Sequence, residues 1–290
     1  MMSLAAALRD LEHRDPRVRA QAADALGRVA SDERAQAVPA LTRAADDEHP
    51  SVRYAALLSL GELAATATVA TLIAHLSDPE SLCREAAAIA LGQLGPDGGE
   101  AAWRALVEAL ESAAPEVRFQ AIASLAEIDA VRAAPRVVAL ISDGDVKVRA
   151  QVAAALGDAA DPAYADRLAA LLDDADEARH EAALALARLR DRRAIPSLLV
   201  ALRRAERAFD AATALATLDA AREAGARERL AGEMTRLFGD ALVKVRAAEA
   251  LARAGDERGL EHLRKAVKSR REDVSGLARS VLSDLGHGSS

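Results

Sequence analysis

The chain has 290 residues, a formal net charge of −7 and a pI near 5.5, and only 2% of it is aromatic. That balance excludes a general affinity for nucleic acid or for an anionic membrane surface, because both need a positive field. No apolar run of about 18 residues is present, so no membrane-spanning helix is expected, and the single cysteine, Cys83, precludes an internal disulfide and is compatible with a reducing cytoplasm, the expected location.

The first segment, Met1-Met2-Ser3-Leu4-Ala5, runs directly into a helix with Arg9 and Asp10 and lacks the basic and long apolar regions of a signal peptide. Asp15-Pro16 then has the chemistry of a helix start, since Asp15 can cap free backbone N–H groups and Pro16 at the first helical position loses nothing. Val18, Ala22, Ala25, Leu26 and Val29 follow at helical spacing and define one buried face. The stretch from Val18-Arg19 to Leu26-Gly27 recurs as Val52-Arg53 to Leu60-Gly61 and as Val148-Arg149 to Leu156-Gly157. With the leucine as anchor, the series also takes in Leu91, Leu125, Leu186, Leu215, Leu251 and Leu282, and the intervals from Leu26 to Leu282 average 32 residues. A fixed period of this size marks a solenoid, in which each unit buries its apolar face only by stacking on its neighbours.

A second apolar series, Leu41, Leu72, Leu106 and Val137, lies 12 residues before the matching arginines and marks an antiparallel first helix in each unit. The predicted fold is an all-α solenoid of about nine antiparallel helix pairs. It is read as a single domain over residues 1–290, with repeats from about 3 to 286 and a disordered tail at 287–290. Asp78-Pro79 is read as a repetition of the Asp15-Pro16 helix start, and Pro39, Pro135 and Pro196 are expected to begin or bend first helices. Cys83 falls in the valine column and Trp103 at a position held by Val38 and Val69, so both are expected in the core. The 36 residues from Leu215 to Leu251 predict an extended helix around Arg222 to Phe238. Arg279 in the last unit is read as part of a polar end cap.

These residues resemble HEAT repeats, in particular the bacterial HEAT-like class of the phycobilin lyases, over roughly residues 3–286. The resemblance implies a superhelical scaffold, adaptor or chromophore-handling protein, and in a few relatives an enzyme, because fold does not fix activity. The motif arginine stands at Arg19, Arg53, Arg84, Arg118, Arg149 and Arg179, beside inter-helix acids such as Asp15, Asp47, Asp78, Asp143 and Asp176. A helical wheel puts it about 80° from the apolar centre, at the seam between repeats, where its stem packs and its head reaches an acid of a neighbouring loop. That is a structural ladder; a ligand-binding role is the alternative. The column departs at Ala208, Lys244 and Ser275.

Positions one and five after the arginine point away from the core and are expected to line the inner, concave surface of the solenoid. The first of these columns holds Tyr54, Phe119, His180 and Phe209, and the second holds Leu58, Ile89 and Leu184. They form a candidate stripe for a partner protein or peptide, with packing between adjacent helices as the alternative. Charge is segregated too: residues 158–177 are acidic, residues 188–207 carry seven arginines, and Arg264, Lys265, Lys268, Arg270 and Arg271 form a second basic run. Such runs are solvated faces or contacts for a partner.

Catalysis finds no constellation of residues. Arg179-His180-Glu181-Ala182-Ala183 resembles the histidine–glutamate pairs of deoxyhypusine hydroxylase, yet Tyr54-Ala55, Glu85-Ala86 and Phe119-Gln120 at the matching positions cannot rebuild a di-iron shell. No cofactor or metal is therefore expected, and the reading is a non-enzymatic scaffold for a protein partner. A bilin lyase-like subunit is the alternative, and a nucleic-acid-binding HEAT-like protein a more remote one.

Overall fold

A computed structural model describes residues 2–236 and 239–287. Phe238 and residues 288–290, on which two of the expectations above fall, lie outside them. The described residues form 17 α-helices and no strand, an all-α solenoid of helix pairs. The chain divides into two compact units, Met1–Ala155 and Leu156–Ser290.

The first unit contains α1 (Leu4–Asp10), α2 (Pro16–Gly27), α3 (Arg34–Ala44), α4 (Pro50–Glu62), α5 (Val69–His75), α6 (Ser81–Gln93), α7 (Gly99–Ala109) and α8 (Pro115–Val137), followed by α9 (Val146–Ala159), which runs across the division. Here α2 packs on α4, α4 on α6 and α6 on α8, and the first helices α1, α3, α5 and α7 pack on α2, α4, α6 and α8. The anchor leucines Leu26, Leu60, Leu91 and Leu125 are fully buried, as are Leu41, Leu72, Leu106 and Val137 of the first helices. Each such side chain stabilises the fold by about 1.5–3 kcal/mol through burial. The long α8 is two helices joined at Asp129, whose backbone is extended (φ −164°, ψ 95°) and whose carboxylate accepts from the Arg132 amide at 3.0 Å to start the second segment.

Short side chains let the second helices approach closely. A Cβ added to Gly27 would stand 2.8 Å from the Ser59 Cβ, and one on Gly92 would stand 2.7 Å from the Ser124 Cβ. Both serine hydroxyls are buried and donate across the seam, Ser59 to the Ala23 carbonyl at 2.9 Å and Ser124 to the Ala88 carbonyl at 3.1 Å. Glycine in one helix and serine in the next therefore act as a pair.

The second unit contains α10 (Ala165–Ala170), α11 (Asp176–Arg188), α12 (Ile195–Ala201), α13 (Ala208–Thr217), α14 (Ala224–Thr235), α15 (Ala241–Arg253), α16 (Glu257–Ala266) and α17 (Glu272–Asp284). The same plan holds: α11 packs on α13, α13 on α15 and α15 on α17. Leu186, Leu215 and Leu251 are fully buried, with Leu168, Leu198, Leu230 and Leu263 opposite them on the first helices. The extended helix expected around Arg222 to Phe238 is not one element: Ala220–Arg222 is a turn of 3-10 helix, Glu223 has an extended backbone, and α14 is no longer than α2.

Most second helices, though neither α2 nor the first segment of α8, stop in one way. Ala64, Gly95, Ala160, Arg190, Asp219, Gly255 and Gly286 all adopt positive φ just past a second helix. After α4, α11, α15 and α17 the amide that follows this residue returns to the carbonyl of the anchor leucine, at 2.8 Å for Asp191 to Leu186 and 2.9 Å for Asp256 to Leu251. This left-handed stop satisfies carbonyls that the helix leaves open.

One expectation about helix starts needs correction. Asp15 caps α2 through the Arg17 amide at 2.9 Å, but α6 begins at Ser81 with Glu80 in the cap position, so Asp78-Pro79 lies ahead of the helix. Asp78 matches Asp47 and Asp143, and like them it accepts from the backbone amide two residues on. Pro39 and Pro135 lie inside α3 and α8, whereas Pro196 sits in the first turn of α12. Cys83 is fully buried, and Trp103 is buried with the Arg132 guanidinium 3.9 Å above its ring centroid.

Candidate functional site

The motif arginines hold adjacent loops of the first unit together. Arg19 pairs with Asp47 through Nε and Nη2, both at 2.8 Å, and donates from Nη1 to the His13 and Arg14 carbonyls of its own loop. Arg53 does the same with Asp78 at 2.9 and 2.8 Å, and Arg118 with Asp143 at 2.8 and 2.7 Å. Bidentate pairing fixes geometry as well as charge. Burial would raise the Asp78 carboxyl, but hydrogen bonds from Arg53, the Glu80 amide and His75 outweigh it and bring its pKa down to about 2. Arg149 donates to the Asp143 carbonyl at 2.6 Å.

Arg84 breaks the pattern for a visible reason. The next loop carries Ser112 where the others carry aspartate, and Arg84 reaches instead for Glu116 with Nη2 at 2.5 Å. Its Nε is buried without a partner.

At one seam of the second unit, that between α11 and α13, the polarity reverses. Among the described residues, Arg179 donates only within its own loop, to the Asp174 carbonyl at 2.6 Å. The link to the next repeat is made by Asp176, which accepts from Arg204 and, at 2.8 Å, from Arg207. The segregated charge of the sequence is thus largely internal. Arg188 pairs with Asp158 at 3.5 Å, Arg193 with Asp166 and Asp191 at 2.8 and 2.6 Å, and Arg192 with Glu223 at 2.8 Å. Arg190 donates to the Thr217 carbonyl at 2.7 Å. Acidic and basic stretches that stand apart in sequence belong to consecutive repeats and meet one another.

The outward columns differ between units. In the first, Tyr54 on α4 is 36% exposed, while Leu58, Ile89 and Phe119 are half-buried. Phe119 on α8 lines an open depression of about 370 Å³ together with Glu85, Glu116, Gln120, Asp145 and Lys147, which holds neither Tyr54, Leu58 nor Ile89. In the second unit, Phe209 on α13 is 37% exposed and lies 5.6 Å from the Arg246 guanidinium of α15. The column ends there, because Val245 and Glu249 of α15 are buried, Glu249 accepting from Arg246 and Arg253 at 2.7 and 2.9 Å.

His180 and Leu184 occupy different places on α11. His180 faces Val200, Arg204 and Arg207 in a narrow crevice. Burial, with Arg207 next in effect, pushes its imidazole below the usual range and favours the neutral ring. Leu184 lines a wider groove of about 430 Å³ between α11 and α13, with Glu181 and Asp210 among its walls. Burial pushes the Glu181 carboxyl up, with Asp210 and Glu177 adding to that effect and Arg188 and Arg207 opposing it. Sequence reasoning took Glu181 only as half of a pair with His180. The available signal was its place two positions after the motif arginine, the same place that Asp210 holds one repeat later.

The sequence matches the family description "HEAT repeats" over residues 3–92, 69–144, 103–187 and 134–219. The chain belongs to the HEAT-repeat family. Residues 243–269 of this HEAT protein match a PBS lyase HEAT-like repeat. No curated protein matches it in sequence. Among solved structures it is similar to an engineered protein at 25% identity and TM-score 0.55, over 99% of this chain and 89% of the other. It is also similar to YibA of E. coli at 21% and 0.62, over 90% and 95%. The karyopherin Kap121p, in its complex with the extreme C-terminus of the protein phosphatase Cdc14p, aligns at 15% and 0.66 over 97% of this chain and 37% of the karyopherin. At these identities the last two show the fold alone.

Proposed function

We propose that this HEAT protein is a non-enzymatic interaction scaffold. It holds a partner protein or peptide on the outward face of its second helices, the face that the repeat pattern assigns to the inner surface of a solenoid. Tyr54, Leu58, Ile89 and Phe119 serve in the first unit, and His180, Leu184 and Phe209 in the second. The observation that carries this reading is the exposure of Tyr54 and Phe209, at 36% and 37%, in a chain that buries most of its large apolar side chains. Exposed rings on an ordered helical face are what a partner covers, and each adds about 1.5–3 kcal/mol when buried. A karyopherin of the same fold holds the end of another protein, so the architecture suits this use. Among the described residues no helix is long and apolar enough to cross a membrane. With its one cysteine a buried thiol, the protein suits the cytoplasm.

The test compares wild type with a variant in which Tyr54, Phe119 and Phe209 are alanine, by affinity capture from the native cytoplasm alongside circular dichroism and urea unfolding. Loss of a specific protein from the variant, with helicity and midpoint retained, supports the scaffold. Identical captures, or a matching loss of stability, assign the rings to packing. The lyase-type repeat makes a bilin the rival ligand, and a free bilin whose absorbance shifts on mixing would favour that rival.

A further inference from the structure

The groove between α11 and α13 has a distinct chemistry within the second unit. Its floor is Leu184, Ala187 and Ala214, and Glu181, midway along α11, and Asp210, in the first turn of α13, stand at one end of it, with Arg188 at the other. Neither carboxylate has a hydrogen-bond or ion-pair partner among the described residues. Of the groove's own donors, Thr213 donates to the Phe209 carbonyl at 2.9 Å and Thr217 to the Thr213 carbonyl at 3.1 Å, while Arg188 faces Asp158 at 3.5 Å and attracts Glu181 only at longer range. Arg207, close enough to influence Glu181, is held by Asp176 at 2.8 Å. An apolar trough about 10 Å long, by the rise from Glu181 to Arg188, therefore ends in two unanswered acceptors of the same sign.

We propose that this groove receives a lysine or arginine side chain from a basic, apolar-flanked segment of the partner protein, with the aliphatic stem on Leu184, Ala187 and Ala214 and the cationic head between Glu181 and Asp210. Long basic side chains combine an apolar stem with a charged tip, which is the combination this trough complements. A half-buried carboxylate beside another carboxylate is costly in the free protein, and an incoming cation relieves both burial and repulsion. Burial holds the Glu181 carboxyl above its usual range, as expected of an acid awaiting a counter-charge. The first unit offers related chemistry, since Phe119 shares its depression with Glu85, Asp145 and Lys147, and with Glu116, which Arg84 already answers, and an aromatic face among carboxylates also attracts cations. This inference rests on the scaffold reading for the existence of a partner and adds the partner's charge.

Two short labelled amphipathic peptides of identical apolar content, one bearing lysine and the other glutamine at its polar positions, test it by fluorescence anisotropy against the full chain. Wild type is expected to bind the lysine peptide about tenfold or more tightly than the glutamine peptide, and E181Q/D210N to lose that preference. D210N alone, at an exposed position, reads the same loss should the double variant fold poorly. Equal binding of the two peptides by wild type, or a lysine preference that survives both variants, overturns the proposal. A natural partner released by the aromatic-to-alanine variant but retained in full by E181Q/D210N would overturn it and leave the scaffold intact. Lysine selectivity erased by E181Q/D210N but indifferent to the aromatic replacements would support the groove and remove the aromatic face.

Discussion

Gly61 of α4 lies so close to Ala90 of α6 that a Cβ on the glycine would stand 2.8 Å from the Ala90 Cα and 2.9 Å from its Cβ. The Gln93 side-chain amide also intrudes and can swing away, but the Ala90 backbone cannot. Gly61→Ala should therefore destabilise the first unit by about 1–3 kcal/mol, the usual cost of overpacking. Gly225→Ala on α14, where a Cβ meets nothing within 4 Å, should do the opposite and stabilise by roughly 0.5–1 kcal/mol. Urea denaturation of the two variants, compared with wild type, should show shifts of opposite sign.

The orphaned Arg84 Nε suggests a repair. Ser112→Asp would restore the carboxylate that the loops of Asp47, Asp78 and Asp143 supply, and should add about 1 kcal/mol through a bidentate pair. An unchanged urea midpoint would mean that Glu116 already meets the need of this arginine.

Asp78 predicts a dependence on pH. Its folded pKa of about 2 lies below the ordinary 3.8, so its contribution is fully present above about pH 4 and is lost as pH falls toward 2. The difference corresponds to about 2 kcal/mol. Asp78→Asn should flatten the stability profile in that window, measured by thermal unfolding across an acid series.

Glu181 carries the reverse sign. An acid whose folded pKa is raised costs stability once pH exceeds its unfolded value, so Glu181→Gln should make the free protein more stable at neutral pH. The gain should vanish as the wild-type carboxyl becomes protonated in acid. A variant equally stable, or less stable, at pH 7 would show that Arg188 and Arg207 already compensate the charge.

Ala64 adopts φ 49° and is exposed at the end of α4. Ala64→Gly should stabilise by roughly 0.5 kcal/mol, because the relief of left-handed strain exceeds the added freedom of the unfolded chain. Denaturant titration of this variant, with Ala160→Gly as an independent repetition at φ 53°, checks the sign.

The buried columns were legible in the sequence because burial acts on residue type at a fixed period: Leu26, Leu60 and Leu91 had to recur, and their first-helix partners with them. Family membership followed from the same pattern. The ladder was legible only in part, since Asp15, Asp47 and Asp78 are chemically alike in a sequence. A shift of two residues decides whether an aspartate caps its own helix, as Asp15 does, or answers the arginine of the preceding repeat, as Asp47 and Asp78 do. The mutual pairing of the acidic and basic stretches stayed hidden because it depends on which loops meet, not on composition. His180 and Glu181 adjoin in sequence but diverge by about 100° on the helix, so a reading by adjacency joined two side chains that serve separate cavities.

The reversed seam at Asp176 bears on how such a chain can lengthen. A repeat like the second carries a carboxylate facing backward, Asp47, and a guanidinium facing forward, Arg53, so a duplicate inserted beside it would find its charges answered on both sides. At the one seam between the sixth and seventh repeats those roles are exchanged, with Asp176 facing forward and Arg204 and Arg207 facing back. A copy of either, placed among the first repeats, would set like charge against like. Duplicating either of these repeats alone among the first ones would thus leave one face of the copy unmatched, whereas moving the two together keeps Asp176 with Arg204 and Arg207.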